Sequence, residues 1–208
     1  MTSFDAIVFV VDDDPLIRDA LEQLIKSVGL KAYTFSSARE FLEEDLPDGP
    51  CCLILDIRMP GLSGLDLQDE LAKKALTIPV IFITGHGTVP MSVRAMKAGA
   101  VDFIQKPFED QELLDAIHSA LERNRQTRME QAEIREIKRR VESLTPREHE
   151  VLLLVTAGKP NKQIAYDLKL SENTVKTHRA HIMQKMKAES LADLVRLTEK
   201  VDICRYKR

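Results

Sequence analysis

Three aspartates stand where short apolar runs end, and their spacing would bring them together. Asp12 and Asp13 follow residues 7–11, and Asp56 follows residues 52–55. The carboxyl ends of parallel strands meet at one edge of a sheet, so neighbouring strands would gather these carboxylates there. Clustered carboxylates repel one another, and a hard cation such as Mg²⁺ or Mn²⁺ relieves that repulsion and bridges readily to a phosphate. The pattern predicts an acidic, metal-binding pocket.

Two other polar residues close the next apolar runs and suit the transfer of a phosphoryl group. Thr84 follows residues 80–83, where its hydroxyl would hydrogen-bond a phosphoryl oxygen, and Lys106 follows residues 101–104. The ammonium group of Lys106 would pair with the same oxygens. A carboxylate nucleophile, a divalent cation, a hydroxyl and an ammonium group together stabilise a phosphoryl group in transfer. We therefore predict that Asp56 is the phosphoacceptor, assisted by Thr84 and Lys106.

The carboxylates of this pocket receive different roles. Asp56 is the best nucleophile because it is central and precedes the turn-rich Met59-Pro60-Gly61. Asp13 is the best direct metal ligand, and Asp12 would act through a water molecule. The backbone carbonyl of Arg58 would supply another oxygen, and Asp56 would complete the metal site.

The apolar runs and the segments between them predict a doubly wound α/β domain. The predicted strands are 7–11, 31–35, 52–55, 80–83 and 101–104, and the predicted helices are 15–27, 37–44, 64–74, 88–98 and a fifth from about Glu109. Several strands lack polar alternation, as expected where both faces of a parallel sheet are covered. Five β-α repeats predict a five-stranded, flavodoxin-like sheet of order 2-1-3-4-5.

The segment 123–142, between the two halves of the chain, is rich in charge and contains neither proline nor glycine. We predict that the fifth helix continues through it as a solvated helical linker, because Ile134, Ile137 and Val141 restore some helical spacing. A flexible linker is the alternative, since the middle of the segment has little to pack against. A coiled-coil dimer has no sustained heptad pattern in its favour. The predicted domains are therefore 1–122 and 143–208, joined by 123–142.

The last sixty or so residues predict a small all-α domain that binds nucleic acid. Thr145-Pro146-Arg147-Glu148 forms a capping box at a helix start. Two helices, 161–168 and 172–186, are separated by the tight turn Leu170-Ser171, which is the arrangement of a helix-turn-helix. Ile164, Ala165 and Leu168 would face inward on the first helix, as would Val175, Ile182 and Met186 on the second.

The outer face of the second helix carries the candidate DNA contacts. Lys176 and Thr177 would meet base edges, and Arg179 and Lys185 would meet phosphates. His178 would either touch a phosphate or serve as a structural histidine. Asn161, Lys162 and Thr174 complete the set of candidate DNA contacts.

Charge and composition separate the two halves and exclude some classes of protein. Residues 1–122 carry 21 acidic and 10 basic side chains, and residues 123–208 carry 12 and 20, so nets of −11 and +8 give the overall −3. The acidic N-terminal half is suited to binding cations, and the basic C-terminal half is suited to binding a polyanion. No apolar run approaches the ~18 residues of a membrane span, and the N-terminus lacks a signal-peptide pattern. We expect a cytoplasmic protein with no membrane partner, whose three cysteines are free, buried thiols.

The first half resembles the receiver domain of two-component response regulators. The resemblance rests on Val10 to Asp14, Leu55 to Gly64, Ile83 to Gly87 and Lys106-Pro107-Phe108. It implies that a sensor histidine kinase phosphorylates Asp56 in a Mg²⁺-dependent reaction and that the Lys106–Pro107 peptide is cis. It also assigns Thr84 and Phe103 a switching role, with the fourth helix, fifth strand and fifth helix as the surface that changes.

The second half is similar to the LuxR/NarL-type helix-turn-helix, and the stretch 84–91 resembles the FixJ-type regulators. The resemblance rests on Leu144 to Glu148, Asn161 to Ala165 and Ser171 to His178. Lys159-Pro160 replaces the Leu-Ser of many relatives. The resemblance implies promoter binding as a homodimer formed on phosphorylation, and transcriptional activation through RNA polymerase.

Two other functions were weighed against a phosphorylation-gated transcription regulator. An aspartyl-phosphate phosphatase or phosphotransferase would want an Asp-x-Asp pair and a cap over its substrate, but position 58 is Arg and no cap is inserted. A metal-binding module with an incidental basic tail would leave the pattern from Ser171 to His178 unexplained. We predict that the chain is a switch and not an enzyme, its only turnover being its own phosphorylation and dephosphorylation. Whether the unphosphorylated receiver masks the DNA-binding helix or merely fails to dimerise stays open.

Overall fold

The apolar runs of the first half form one parallel sheet. In the computed structural model the strands are β1 (Ile7–Val11), β2 (Lys31–Phe35), β3 (Cys51–Asp56), β4 (Val80–Thr84) and β5 (Asp102–Gln105). Their order is β2-β1-β3-β4-β5, which confirms the predicted flavodoxin-like order. Strands β3 and β4 are buried along their whole length because helices cover both faces, and this explains why they lack polar alternation.

Helices pack on both faces of the sheet and enclose two apolar cores. They are α1 (Pro15–Ser27), α2 (Ala38–Leu42), α3 (Gly64–Lys73), α4 (Val89–Lys97) and the first part of α5 (Asp110–Glu142). One core contains Phe41, Leu67 and Ala95, contributed by α2, α3 and α4. The other contains Ile25 from α1 and Ile117 from α5. The predicted α/β layering is therefore confirmed, with helix bounds that differ from the predicted ones by one or two residues.

Helix α5 is 33 residues long and contributes to two cores. Residues 123–142 are helical, but the segment is not solvated throughout. Asn124 is 1% exposed; its side chain accepts a hydrogen bond from the Cys51 amide at 3.1 Å and donates to the Thr77 carbonyl at 3.2 Å. Toward the end of the helix, Ile137 and Val141 are buried in the C-terminal core. The predicted continuation of the fifth helix is present, and the expectation that this segment is solvated is corrected at Asn124, Ile137 and Val141.

The C-terminal half is all helical and has its own core. Its helices are α6 (Pro146–Thr156), α7 (Asn161–Leu168), α8 (Glu172–Met186) and α9 (Leu191–Glu199). The capping box of Thr145 and Glu148 is present at the start of α6. Five of the six residues predicted to face inward from α7 and α8 are buried, and Leu168 is half-buried. Backbone contacts divide the chain into two units, Met1–Arg128 and Met129–Arg208.

The structure describes residues 6–74 and 76–203. The expected absence of a signal peptide falls on the N-terminal residues, and the expected free thiol of Cys204 falls at the C-terminus, both outside the described residues. Cys51 and Cys52 are buried free thiols, as predicted. Within the described ranges, no helix combines the length and the apolarity that crossing a bilayer requires.

Candidate functional site

The register of the sheet gathers the predicted carboxylates at its carboxyl edge. Val11 pairs with Leu55, so the next residues, Asp12 and Asp56, leave the sheet side by side. Ligand oxygens of Asp12, Asp13 and Asp56 all lie within 4.8 Å of one another. Asp12 is fully buried, Asp56 is 9% exposed and Asp13 is exposed to solvent. Three hard oxygen ligands at this spacing, one of them open to water, fit a Mg²⁺-type cation.

Lys106 places its ammonium group among these carboxylates. Its Nζ lies 2.6 Å from Asp12 Oδ2 and 3.6 Å from Asp56 Oδ2. The Lys106–Pro107 peptide is cis, as the resemblance implied, and the Lys106 amide donates to the Thr84 carbonyl at 2.9 Å. The ammonium group therefore offsets the mutual repulsion of the two most buried carboxylates and can reach an oxygen attached to Asp56.

The pKa of Asp56 is raised above the usual range of an aspartate. Burial is the main cause, and the nearby Asp12 carboxylate adds to it. The Lys106 ammonium and the amides of Ile57 and Arg58 lower the pKa but do not cancel the effect of burial. The Arg58 amide donates to Asp56 Oδ1 at 3.4 Å. An anionic oxygen that burial has stripped of water is a better nucleophile than a fully solvated one.

Backbone and glycine contacts that sequence reasoning missed hold the acidic loops in place. The guanidinium of Arg18 in α1 donates to the Asp12 carbonyl at 2.7 Å, and the Asp14 amide donates to Asp12 Oδ1 at 2.9 Å. A Cβ atom on Gly64 would lie 2.2 Å from the Asp56 carbonyl oxygen, so α3 can begin there only with glycine. An arginine on a helix after an acidic loop is too common to be a signal. The Ser-Gly pair at the start of α3, in contrast, was a signal that sequence reasoning could have used.

The two predicted switch residues lie next to this pocket. Thr84 is 1% exposed, and its hydroxyl accepts a hydrogen bond from the His86 amide at 3.3 Å. Phe103 on β5 is half-buried, with its ring centroid 6.5 Å from that of Phe82. The Thr84 oxygen thus accepts a hydrogen bond within its own loop, and its O–H is the group that could donate to another oxygen.

Part of the predicted DNA-contacting set is exposed on α7 and α8. Lys162, Lys176 and Thr177 are exposed, and Thr174 is half-buried. The Thr177 hydroxyl donates to the Asn173 carbonyl at 3.1 Å. The hydroxyl oxygens of Thr174 and Ser171 lie 2.8 Å apart at the start of α8. Among these side chains the two lysines supply positive charge and the threonines supply hydroxyl groups.

Other members of the set are bonded within the domain. Lys185 Nζ lies 2.6 Å from Glu148 Oε2, and Arg179 donates to Asn161 Oδ1 at 2.9 Å. Burial opposes the ionisation of Glu148, but hydrogen bonds from Lys185 and from Thr145 hold its pKa below the usual range. Lys185, expected to meet a phosphate, is therefore the partner of a buried carboxylate.

His178 lies in a partly buried position on α8. It is half-buried, and its Nδ1 atom is buried with no hydrogen-bond partner among the described residues. Both readings of His178 made from the sequence, a phosphate contact or a structural histidine, stay predictions.

Comparison with known families covers both halves of the chain. The family of response regulator receiver domains matches residues 8–118, and the luxR family of bacterial regulatory proteins matches residues 142–198. The first match contains the acidic pocket, and the second contains α6, α7 and α8.

Similar proteins match over nearly the whole length. Nodulation protein W of Bradyrhizobium diazoefficiens is 55% identical over 201 residues, which are 97% of this chain and 88% of that protein. The transcriptional regulatory protein FixJ of Rhizobium meliloti is 45% identical over 195 residues, covering 93% and 95%. A solved structure of the response regulator StyR has a TM-score of 0.85 and 49% identity, covering 94% of this chain and 99% of that chain.

These matches confirm the resemblance on which the sequence-based assignment rested, including the likeness to FixJ and StyR. The chain belongs to the two-component response regulators that join a receiver domain to a luxR-type DNA-binding domain and regulate transcription.

Proposed function

We propose that this chain is a phosphorylation-controlled activator of transcription, in which the phosphoryl group on Asp56 governs promoter binding by the C-terminal domain. The observation that supports this proposal best is that ligand oxygens of Asp12, Asp13 and Asp56 lie within 4.8 Å of one another, with the Lys106 ammonium among them. Four groups from three separate segments of the chain at one edge of a sheet form a site for phosphoryl transfer.

In the proposed reaction, an oxygen of Asp56 attacks the phosphorus of a phosphohistidine on a sensor histidine kinase. The P–N bond to the imidazole breaks, a P–O bond to Asp56 forms, and the released imidazole nitrogen takes up a proton. Lys106 pairs with the phosphoryl oxygens, exchanging part of its interaction with Asp12 for one with the new dianion. Hydrolysis of the acyl phosphate returns Asp56 to a carboxylate, so the turnover is confined to the chain itself and the protein is a switch, not an enzyme for a separate substrate.

A divalent cation would be held by Asp12, Asp13 and Asp56, with the Arg58 backbone carbonyl as a further oxygen. When bound, Mg²⁺ (or Mn²⁺) would neutralise charge on the phosphoryl oxygens during transfer. The exposed Asp13 is open to direct ligation, and the buried Asp12 is the residue that Lys106 already neutralises.

The switch would run through Thr84 and Phe103 to the outer face of α4. The Thr84 hydroxyl would donate its hydrogen to a phosphoryl oxygen, and Phe103 would follow. Three apolar side chains of α4 are exposed, Val89 by 76%, Val93 by 45% and Met96 by 46%. An apolar stripe of this kind suits burial against a second copy, so we propose that phosphorylation favours a homodimer.

The output would be promoter DNA bound by α8, followed by contact with RNA polymerase. Lys176 and Thr177 are exposed on α8 and available to base edges, and the exposed Lys162 on α7 suits a phosphate. A dimer would place two such helices on two half-sites. Such a regulator works in the cytoplasm, where kinase, DNA and polymerase meet.

The test of the receiver half is transfer of labelled phosphate from acetyl phosphate in the presence of Mg²⁺. Wild type and Asp19→Asn, which alters an exposed aspartate on α1, should label equally. Asp56→Asn should not label, and a chelator should abolish labelling of the wild type. Equal labelling of Asp56→Asn and wild type would overturn the assignment of the phosphoacceptor.

A further inference from the structure

The last turn of α8 is bonded to the end of α5. The guanidinium of Arg140 donates through Nη1 to the Met186 carbonyl at 3.0 Å, and Lys185 Nζ donates to the Ser143 carbonyl at 3.2 Å. Arg140 lies two residues before the end of α5, and Ser143 directly follows that helix. Both bonds lie within the second unit, Met129–Arg208. The helix that carries the proposed DNA contacts is therefore held at its C-terminal end by the linker helix.

The bond from Arg140 satisfies a carbonyl at the C-terminal end of α8. The last carbonyls of a helix have no partner within the helix itself. The amides of the two residues that follow α8 donate to the Gln184 and Met183 carbonyls, at 3.1 and 3.0 Å. The carbonyl of Met186, the last residue of α8, accepts from Arg140. A cation at this place also faces the negative end of the helix dipole, so Arg140 acts as a C-cap supplied by another helix.

Apolar packing joins the same parts of α5 and α8. Ile137 and Val141 near the end of α5 are 1% and 2% exposed. They share one core with the buried face of α8, which includes Ile182 and Met186. Apolar contacts have no preferred direction, whereas a hydrogen bond requires a particular distance and angle. The bond from Arg140 therefore restricts how α8 can turn or slide on this core.

Two neighbouring arginines of α5 differ in their contact with α8. Both pair with Glu136, Arg139 through Nη2 at 2.5 Å and Arg140 through Nε at 3.1 Å. The side chain of Arg139 is 78% exposed, whereas that of Arg140 is 22% exposed and continues to the Met186 carbonyl. The pKa of Glu136 lies below its usual range, chiefly because of the hydrogen bond from Arg140. Glu136 thus orients the guanidinium that holds α8, and Arg139 carries the same charge without that bond.

We infer that Arg140 is a positioning residue of the DNA-binding domain: it fixes the position of α8 against the end of α5 and thereby sets how α8 meets DNA. The inference rests on the DNA contacts proposed for α8 and deepens them, but it does not require that Asp56 is phosphorylated. A change in the last turns of α5 would reach α8 directly, without passing through α6 or α7. At this end the linker helix is part of the DNA-binding unit, and not only the connection to it.

The first experiment compares Arg140→Met with Arg139→Met in the full-length chain. Both changes remove one positive charge and keep an apolar stem, but only Arg140→Met removes the donor to the Met186 carbonyl. Affinity is measured at fixed salt for a DNA site selected from a random pool by the wild type. Arg140→Met should lose about fivefold or more, the lower end of the usual coupling between two sites, and Arg139→Met should stay within about twofold. Arg140→Lys, which keeps a cationic donor, should recover most of the affinity.

A carbonyl resonance reports directly on the bond that holds α8. With ¹³C-carbonyl methionine and ¹⁵N-lysine, only the pairs Met96–Lys97 and Met186–Lys187 give a correlation, and Lys97→Arg identifies the first. In the DNA-free protein, Arg140→Met should move the Met186 resonance, because the hydrogen bond to that carbonyl is lost. Arg139→Met should leave it in place. Neither variant creates a new Met–Lys pair.

The outcomes separate this inference from the proposed function. Equal DNA affinities of wild type and Arg140→Met, equal losses in the two methionine variants, or an unmoved Met186 resonance would overturn the inference. If Arg140→Met does not fold, Arg140→Gln takes its place with the same readouts and outcomes, since glutamine favours helix and is shorter than arginine. An unchanged affinity in Lys176→Ala would count against the DNA contacts proposed for α8, and the Met186 resonance would still decide whether Arg140 holds the end of that helix.

Discussion

Asp56 is held in surroundings that oppose its charge and yet keep it reactive. Burial and the Asp12 carboxylate raise its pKa, and the Lys106 ammonium 3.6 Å away works in the other direction. A phosphoryl group on Asp56 would bring more negative charge to the same place. Lys106 and a divalent cation are the groups that can balance it, which explains why a lysine is built into an otherwise acidic pocket.

The raised pKa of Asp56 predicts where this residue titrates. Its carboxyl should take up a proton at a higher pH than an ordinary aspartate does, and Lys106→Met should move the midpoint further up, because an ammonium that lowers the pKa is removed. The raised pKa also makes the folding stability depend on pH. Between the ordinary and the raised pKa the folded state binds more protons than the unfolded state, so stability falls as pH rises through that window. A ¹³C-carboxyl NMR titration of the metal-free protein, assigned with Asp56→Asn, measures the midpoints. An Asp56 midpoint at or below the usual range of an aspartate would contradict the electrostatic description.

Two lysines of α8 should respond differently to truncation. Lys176→Ala removes an exposed side chain and should weaken DNA binding by about 1–3 kcal/mol if it reads a base. Its effect on folding should stay within about 0.5 kcal/mol. Lys185→Ala leaves the buried Glu148 without its cation and should destabilise the C-terminal unit by about 1–3 kcal/mol. Thermal unfolding and DNA titration of both variants distinguish the roles. Stability lost by Lys176→Ala and kept by Lys185→Ala would reverse the assignment.

At the residue scale, the sequence predicted the pocket better than the DNA-binding face. Asp56 and Thr84 end a strand, and Asp12 and Lys106 directly follow one. Parallel strands bring their carboxyl ends to one edge whatever the details of packing. The spacing of residues within α8 alone predicts that Lys185 lies on an outer face of that helix. Its pairing with Glu148 depends on where α6 packs, and spacing within one helix carries no information on that.

Helix α5 shows how one element can serve two units. Its early residues close the core beside α1, and its last turns bury Ile137 and Val141 with α6 to α9. Between these, Arg128 donates to the carbonyls of Pro47 and Asp48 at 2.9 Å each. The helix is thus attached to the loop before β3 by Asn124 and Arg128 together.

Removing the Asn124 amide should loosen this attachment. Asn124→Ala leaves the Cys51 amide and the Thr77 carbonyl without their partner, and should cost the receiver about 1–3 kcal/mol. The matched change Arg123→Ala alters the neighbouring exposed side chain and should stay within about 0.5 kcal/mol. Denaturant unfolding and hydrogen exchange at the Cys51 amide measure both effects. Wild-type protection of that amide in Asn124→Ala would show that the side chain anchors nothing.

At the element scale, the sequence predicted where helices begin better than what they contact. Ser63, Thr145 and Ser171 each cap a helix, and such signals are local. Asn124 was hidden because it is a polar residue in a charged stretch, and only the backbone of two distant loops makes it a buried one. The amphipathic count, which sees apolar residues alone, found Ile134, Ile137 and Val141 but could not find Asn124.

The whole molecule separates its two kinds of chemistry by charge. The acidic first half carries a net of −11 and contains the proposed cation and phosphoryl site, and the second half carries +8 and contains the predicted DNA-contacting residues. Because phosphate contacts dominate the affinity for DNA, binding by the second half should weaken steeply with salt. Phosphoryl transfer to the first half requires no DNA, so the two activities can be measured apart.

One pair of binding curves shows whether the phosphoryl group on Asp56 controls DNA binding. The probe is a DNA site selected from a random pool by the phosphorylated full-length chain, and the affinity is measured at fixed salt with and without acetyl phosphate and Mg²⁺. Wild type should gain about tenfold or more in affinity, and Asp56→Asn should gain nothing. Equal affinities for wild type in the two conditions, or an equal gain in Asp56→Asn, would contradict the account.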